Sequence, residues 1–329
     1  MVVDAHAHVI VPEITRAADP GDAWRPSVAW RDGVQIVEFG GREIRSAVEE
    51  FVGIDRILEA ERRRGVDHVV LSPWVALLGY EEPPDAALAR CRVQNEALAG
   101  LAAAHPGRVS AFGAVPLQDP DAAAAELHAL MATPGIRGVE VAASVAGASL
   151  GDPRFEPFWE AAEATRAVVF VHPTTRGFDL PVFDEHYLWN TVGNPVETAI
   201  AAAHVIMAGV LERHRGLRML LAHGGGALLA VRGRLRHAHG LQPQARARLT
   251  EPPDDSLRRL YFDTVTHDAS LLRALLDAAA PGHVVLGSDY PFDMGTPDPV
   301  GEVRALGLSP QDEAAVLGGN GLALLGLEG

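Results

Sequence analysis

The sequence is poor in cysteine, in basic residues and in long apolar runs. Cys91 is the only cysteine, which excludes an intramolecular disulfide and a thiolate metal cluster and favours a reducing cytoplasm. Basic residues number 28 against 43 acidic ones, for a formal net charge of -15, so nucleic acid and anionic membranes are not expected partners. A small anionic substrate stays compatible with this charge, because local arginines can override it. No apolar stretch is long enough to span a bilayer, and no secretory leader is expected because the first strand begins at Val2.

The 329 residues are 48% hydrophobic, enough for a large core, and short β-rich runs alternate with helical patterns. We predict eight strands, at residues 2–10, 68–71, 109–115, 138–141, 167–171, 218–222, 260–264 and 283–287. Such alternation favours parallel strands joined by right-handed crossovers, and eight units favour one (β/α)8 barrel domain over residues 1–329. An open doubly wound sheet is the alternative, but it predicts a glycine-rich phosphate loop where the sequence reads "HAHVIVPE".

Two segments distort the simple barrel pattern. Residues 11–51 form a long insertion after the first strand, which we expect to be a small hairpin or a lid over the barrel mouth. The tail at residues 291–329 contains "SPQDEAAVLGGNGLALLGL", which predicts two short helices that close the structure. Ser309 is the expected N-cap of the first of these helices, with acidic residues in the first turn.

The opening stretch "MVVDAHAHVI" places His6 and His8 two residues apart at the end of an apolar run. Residues two apart on a strand point to the same side, so the two imidazoles are candidate ligands of one metal ion. The alternative is a pair of ordinary polar residues where a strand emerges.

Three further strands end in residues that can bind metal. They are His172 in "AVVFVHP", His223 in "RMLLAHGGG" and Asp289 in "VVLGSDYPF". Taken singly, His172 reads as a loop residue, His223 as a strand cap and Asp289 as a turn residue. Because the carboxyl ends of barrel strands meet on one face, we expect all of them to converge there with His6 and His8. Histidines with one carboxylate suit Zn²⁺ or a similar divalent ion and leave room for water or substrate.

The sequence resembles the amidohydrolase superfamily, in the branch related to 2-amino-3-carboxymuconate-6-semialdehyde decarboxylase. The resemblance covers nearly the whole chain beyond the insertion, in the motifs "DAHAH", "HPGRVSAFGAVPLQDPDAAAAEL", "GIRGVEVAASVAG", "DPRFEPFWEAAEATRAVVFVHP", "VGNPVETAIA", "LAHGGG", "DTVTHD" and "GSDYPFDMG". It implies a distorted (β/α)8 barrel with one divalent metal. By position, the implied ligands are His6, His8, His172 and Asp289, and His223 is the implied catalytic acid–base beside a metal-bound water.

The same resemblance suggests how a substrate carboxylate is held. Arg45 in "GREIRSAVEEF" and Arg234 in "GGGALLAVRGRLR" correspond to arginine regions of the family, and arginine binds carboxylates in a bidentate manner. Arg234 would enter the site of a neighbouring subunit, which implies a homodimer; Arg232 and Arg236 are its rivals, and a solvated surface is the alternative for each arginine. Trp189 corresponds to an aromatic pocket wall, with core packing as the alternative. For His267 in "DTVTHD" we expect a supporting or structural role.

The function that the resemblance implies is metal-dependent, non-oxidative decarboxylation of a small aromatic or muconate-type carboxylic acid. The family has two routes, addition of metal-bound hydroxide or protonation of a carbon before the C–C bond breaks, and Asp289 is the candidate proton carrier in the second; the sequence leaves both open. The alternatives are a hydrolase of the lactonase or amidase type, a hydratase, and a barrel that only binds a ligand. Zinc is the expected metal, and manganese also fits such ligands. We expect His223→Ala to keep the metal and lose turnover, and His172→Ala to lose the metal.

Overall fold

The computed structural model describes residues 1–15, 27–31, 34–39, 42–45, 53–174, 178 and 180–327. Its strands are β1 Val3–His8, β2 Ser27–Arg31, β3 Val34–Phe39, β4 Arg42–Arg45, β5 His68–Ser72, β6 Val109–Gly113, β7 Ile136–Ala142, β8 Ser144–Val145, β9 Ala148–Ser149, β10 Val168–His172, β11 Arg218–Leu221, β12 Tyr261–Asp263 and β13 Val284–Val285. Its α-helices are α1 Pro12–Thr15, α2 Ile54–Arg63, α3 Pro84–Ala104, α4 Pro120–Met131, α5 Glu156–Thr165, α6 Asn194–Met207, α7 Val210–Arg213, α8 Leu228–Leu241, α9 Pro253–Leu257, α10 Ala269–Ala278, α11 Pro299–Ala305, α12 Pro310–Ala314 and α13 Asn320–Leu325.

Eight of these strands form one parallel sheet, in the order β1-β5-β6-β7-β10-β11-β12-β13. The sheet curls until its two edges meet, because the Ala5 amide donates to Leu286 O at 2.9 Å and the His8 amide donates to Tyr290 O at 2.7 Å. The predicted (β/α)8 barrel is thereby confirmed, and the open doubly wound sheet is excluded. The eighth strand pairs over only Val284–Val285, so the chain from residue 286 to residue 290 closes the barrel by single bonds rather than by a long ladder.

Alternation of side chains along the barrel strands divides the core into an inner and an outer layer. The inner layer contains Val70, Phe112, Phe170, Leu220 and Val285 together with Leu324 and Leu325 of α13. The outer layer packs the other strand faces against helices such as α2, which contributes Ile57 and Leu58. Cys91 lies buried in this outer layer as a free thiol.

The tail confirms the predicted helices and shows what they close. Ser309 Oγ accepts from the Asp312 amide at 3.1 Å and caps α12, and a π-helical turn at Ala315–Gly319 leads into α13. Arg218 donates to Leu324 O at 2.8 Å, at the start of strand β11. The leucines of α13 therefore seal the amino-terminal end of the barrel and leave the carboxyl-terminal end as its mouth.

Within the predicted insertion, the described residues contain α1 and a three-stranded antiparallel sheet of β2, β3 and β4. The expected hairpin is present, since β2 pairs with β3 from Ser27–Glu38 to Arg31–Val34, and one further strand is added to it. Trp24 lies outside the described residues, and the placement of the segment as a lid stays a prediction. Among the described helices, none combines the length and the apolar character that crossing a bilayer requires.

Candidate metal centre and active site

A bulge in β1 aims both histidines of the opening motif into the barrel. Val3 and Ala5 belong to the inner layer and Ala7 to the outer one, while the register with β5 shifts between Asp4 and Ala7. Without this shift, the residue after Ala5 would point outward. With it, the rings of His6 and His8 both contact the inner residue Phe170, at centroid distances of 4.7 and 6.4 Å.

His6, His8 and Asp289 meet in a nearly equilateral triangle of ligand atoms. The Nε2 atoms of the two histidines are 3.1 Å apart, and Asp289 Oδ1 lies 3.2 Å from His6 Nε2 and 3.3 Å from His8 Nε2. Two ligands at about 2.1 Å from one ion are separated by about 3.0 to 3.4 Å when their angle lies between right-angled and tetrahedral. The triangle therefore has the dimensions of one face of a metal coordination shell.

His172, the last residue of β10, adds a fourth donor. Its Nε2 is buried and has no hydrogen-bond partner among the described residues, and its ring centroid lies 4.9 Å from that of His8 and 5.4 Å from that of His6. An unpaired buried nitrogen is costly unless a ligand satisfies it. The donor set therefore fits a divalent ion.

In all three histidines, the Nδ1 atom faces an oxygen acceptor. His6 Nδ1 lies 2.5 Å from Asp263 Oδ2, His8 Nδ1 lies 3.1 Å from Pro73 O, and His172 Nδ1 lies 2.9 Å from Pro173 O. A proton on each Nδ1 leaves a lone pair on each Nε2, the arrangement that a metal-binding imidazole needs. Two strands, β1 and β10, thus present three imidazole Nε2 atoms toward one region of the barrel.

His223 contacts the other oxygen of the aspartate. Its Nε2 lies 3.2 Å from Asp289 Oδ2, and its side chain is 17% exposed, whereas His6 and His8 are fully buried. The ligand atoms of His6, His172, His223 and Asp289 all lie within 4.8 Å of one another, so distance alone admits His223 as a ligand too. Its contact with the second carboxylate oxygen and its partial exposure distinguish it from the buried His6 and His8.

Burial and mutual charge shape the pKa values of the cluster. Burial lowers the pKa of His6, but Asp289 and Asp263 outweigh this effect and raise it to about 10. Burial raises the pKa of Asp289, yet the histidines, His6 foremost, hold it well below its usual range. The pKa of His172 lies well below its ordinary value because of burial and the neighbouring histidines. His6 is thus the histidine of the cluster that holds an extra proton beside Asp289, and this proton must leave before a cation binds.

The predicted substrate-binding residues are more scattered. Arg45 ends β4 opposite Ile36, and its side chain lies outside the described part of the chain. Trp189 opens the π-helical turn Trp189–Gly193, with its ring 4.9 Å from that of Tyr187. Tyr187 in turn donates its hydroxyl to Asp293, four residues beyond Asp289, so this turn approaches the mouth.

Of the three arginines considered on α8, Arg234 is exposed and Arg232 half-buried. Arg236 pairs with Asp254 at 2.9 Å, which leaves Arg234 and Arg232 as the better candidates for a role outside the subunit.

Two acidic residues of the site escaped prediction from the sequence. Asp263, the last residue of β12, contacts His6, whereas His267 of the same motif is exposed. Glu140 lies fully buried within β7, with Oε2 3.9 Å from His8 Nδ1, and burial raises its pKa well above the ordinary value. The signal for Asp263 was present, since it ends an apolar run just as His172 and Asp289 do.

Comparison with known proteins places this geometry in a family. The sequence profile of the Amidohydrolase family matches residues 3–327, and the chain belongs to that family. The chain is 31% identical over 270 residues to 2-amino-3-carboxymuconate-6-semialdehyde decarboxylase of Dictyostelium discoideum, covering 81% of this chain and 74% of that protein. It is 32% identical over 234 residues to 6-methylsalicylic acid decarboxylase of Penicillium expansum, covering 70% of this chain and 72% of that protein.

The fold recurs in a solved structure of dihydroxybenzoic acid decarboxylase from Polaromonas sp. JS666, which contains manganese and the inhibitor 2-nitroresorcinol. The TM-score is 0.81 at 20% identity, and the match covers 99% of this chain and 96% of that one. The family and the branch predicted from the motifs are confirmed by these comparisons.

Proposed function

We propose that the protein is a metal-dependent, non-oxidative decarboxylase of a small aromatic or muconate-type carboxylic acid. The observation that carries this proposal is the convergence of three imidazole Nε2 atoms and Asp289 Oδ1 at the mouth of the barrel, with His223 beside them. The similarity to two decarboxylases over more than two thirds of the chain supports the choice of a carboxy-lyase. The match over residues 3–327 supports a single domain.

In the proposed site, His6, His8, His172 and Asp289 hold one divalent ion. Such an ion supplies Lewis-acid polarisation of a substrate oxygen when it is bound. Zinc is our first choice, because nitrogen-rich shells suit it; the manganese in the Polaromonas structure keeps Mn²⁺ as the alternative. Metal analysis of the protein purified without added metal distinguishes the two.

Decarboxylation replaces a carbon–carboxylate bond by a carbon–hydrogen bond. The electron pair of the broken bond stays on the ring or chain carbon as CO₂ leaves, so the site must hold a proton for that carbon. His223 is placed for this role, because its Nε2 is 3.2 Å from Asp289 Oδ2 and its side chain reaches the mouth. Asp289 is the weaker proton carrier, since its pKa is held well below the usual range.

Recognition of the substrate carboxylate is assigned to Arg45 of the same subunit and to Arg234 of a second copy, with Trp189 as an aromatic wall. The exposed position of Arg234 on α8 supports a homodimer in which each site borrows this arginine. A cavity of about 260 Å³ lies between Ala142, Thr174 and Tyr80, beside the carboxyl ends of β7 and β10. The cytoplasm is the proposed compartment, on the ground of the single cysteine.

The test measures CO₂ release from a panel of hydroxybenzoates and muconate-type acids, beside a panel of lactones and amides. We compare His223→Asn with His267→Asn, because both histidines have left-handed backbone, at φ 56° and 53°, which asparagine tolerates. We expect the first variant to bind metal and lose turnover by roughly 100-fold or more and the second to behave as wild type. His172→Ala is expected to lose the metal. Turnover of lactones or amides without CO₂ release would replace the lyase by a hydrolase.

A further inference from the structure

Asp263 is a single carboxylate that contacts both parts of the proposed machinery. It is fully buried at the end of β12, between the strand that precedes His223 and the strand that precedes Asp289. Its Oδ2 lies 2.5 Å from His6 Nδ1 and accepts from the His223 amide at 2.9 Å. Its Oδ1 accepts from the amides of Gly224 and Val265 at 2.8 and 3.0 Å.

The backbone that donates to Asp263 is in a conformation that needs support. His223 and Gly224 have φ values of 56° and 59°, in the left-handed region that is unfavourable for a residue other than glycine. Successive amides in such a turn point into one concavity that favours an anion. The carboxylate of Asp263 fills that concavity and so fixes the point from which the His223 side chain leaves the backbone.

The other contact sets the chemical form of His6. A carboxylate accepts hydrogen bonds only, so Asp263 keeps the His6 proton on Nδ1 and leaves the Nε2 lone pair for the ion. Strand β13 leads into a close approach here: a Cβ on Gly287 would lie 2.9 Å from Asp263 Cβ and 3.0 Å from His6 Cβ. The segment after β13 therefore packs closely against both Asp263 and His6.

We infer that Asp263 is a positioning residue that couples metal binding to acid–base catalysis: one carboxylate holds His6 in its metal-binding tautomer and His223 in its working orientation. The first half of this inference depends only on metal binding, and the second half rests on the proposed function. Removing the carboxylate thus has two separable effects, one on metal affinity and one on turnover at saturating metal.

The test replaces Asp263 by asparagine, which is nearly isosteric. The amide can still accept from Gly224 and Val265, but its NH₂ group faces His6 Nδ1 and forces the His6 proton onto Nε2. The matched control is Asp268→Asn in the same loop, where an exposed aspartate accepts from the Leu271 amide and caps α10. The dissociation constants for Zn²⁺ and Mn²⁺ are measured against a chromophoric chelator.

We expect Asp263→Asn to weaken Zn²⁺ binding by roughly 10- to 100-fold, and Asp268→Asn to leave it unchanged. With zinc saturating, Asp263→Asn is expected to lower kcat with little change in KM. Unchanged zinc affinity in a folded Asp263→Asn protein would overturn the inference about His6, whether or not the protein decarboxylates anything. Unchanged kcat at saturating zinc would overturn the half that concerns His223.

A second measurement uses the wild-type protein and does not depend on the folding of a variant. Nitrogen-15 labelling of the histidines in the zinc-loaded protein reports which ring nitrogen carries the proton. We expect His6 to carry it on Nδ1, with a strongly downfield proton shift typical of a short bond to a carboxylate. A His6 ring without a proton on Nδ1 would contradict the inference directly.

Discussion

Glu61 offers a pH-dependent test of the packing between α2 and strand β1. This residue lies on the buried face of α2, where its Oε1 accepts from Arg64 Nη1 at 3.0 Å and its carboxyl group also contacts that of Asp4. Burial, followed by the charge of Asp4, raises the pKa of Glu61 from 4.5 to about 8. The folded protein therefore holds a proton on this carboxyl that the unfolded chain has already lost.

The sign of the effect follows from linkage. Between pH 4.5 and about 8, the folded state binds the extra proton, so its free energy of unfolding falls as the pH rises. At about 1.4 kcal/mol for each pKa unit, the full loss is at most about 5 kcal/mol. Burial also raises the pKa of Asp4 to about 6. Asp4 therefore contributes part of the loss of stability with rising pH, and a Glu61 variant still shows that part. We therefore assign about 2 to 4 kcal/mol to Glu61 itself.

The experiment is urea denaturation of wild type and Glu61→Gln at pH 5 and pH 9. Glutamine keeps the acceptor for Arg64 and has no proton to lose. The difference in free energy of unfolding between the variant and wild type should therefore shift in favour of the variant by about 2 to 4 kcal/mol from pH 5 to pH 9. Glu59→Gln is the control, because Glu59 is on the same helix but exposed and paired with Arg62 and Arg63. Parallel pH profiles for wild type and Glu61→Gln would refute the reasoning.

Two further predictions concern the walls of the site. Gly287→Ala puts a Cβ 2.9 Å from that of Asp263 and 3.0 Å from that of His6, so we expect weaker zinc binding and a loss of about 1 to 3 kcal/mol of stability, measured by chelator competition and urea denaturation. Gly233→Ala on α8 is the control, because the added Cβ meets nothing within 4 Å, and it should be neutral or stabilising by up to about 1 kcal/mol. Equal losses of stability in both variants would argue against a close approach of Gly287 to Asp263 and His6. Phe170→Ala empties a fully buried position against the histidine rings and should cost about 3 to 5 kcal/mol in urea denaturation, with a loss below about 1 kcal/mol indicating that the inner layer repacks.

The histidines and Asp289 could be located from the sequence because each ends an apolar run. Once eight strands alternate with helices, the (β/α)8 topology brings those ends together without further information. The sequence pattern does not predict the bulge in β1. Because of this bulge, His6 points inward although its neighbour Ala5 also points inward. A one-residue change of register depends on pairing with β5, whose residues lie 64 or 65 positions further along the chain.

Asp263 shows a second limit of reading the sequence. Its contact with His6 spans 257 positions, and an aspartate between a strand and a polar loop is equally typical of a turn. Arg45, Trp189 and Arg234 show a third limit. The roles proposed for them depend on the shape of a pocket or on a second copy of the chain, and the periodicity of a strand or helix predicts neither.

The contact between the first strand and residues 318–321 has a consequence for synthesis. A Cβ on Gly318 would lie 1.9 Å from Met1 O and one on Gly321 3.2 Å from Val3 Cγ1, so β1 completes its packing only when residues about 300 positions later are present. Because translation proceeds from the amino end, His6 and His8 leave the ribosome long before the segment that carries Asp289. The inner layer of the barrel therefore cannot close before residues 286–325 have been synthesised.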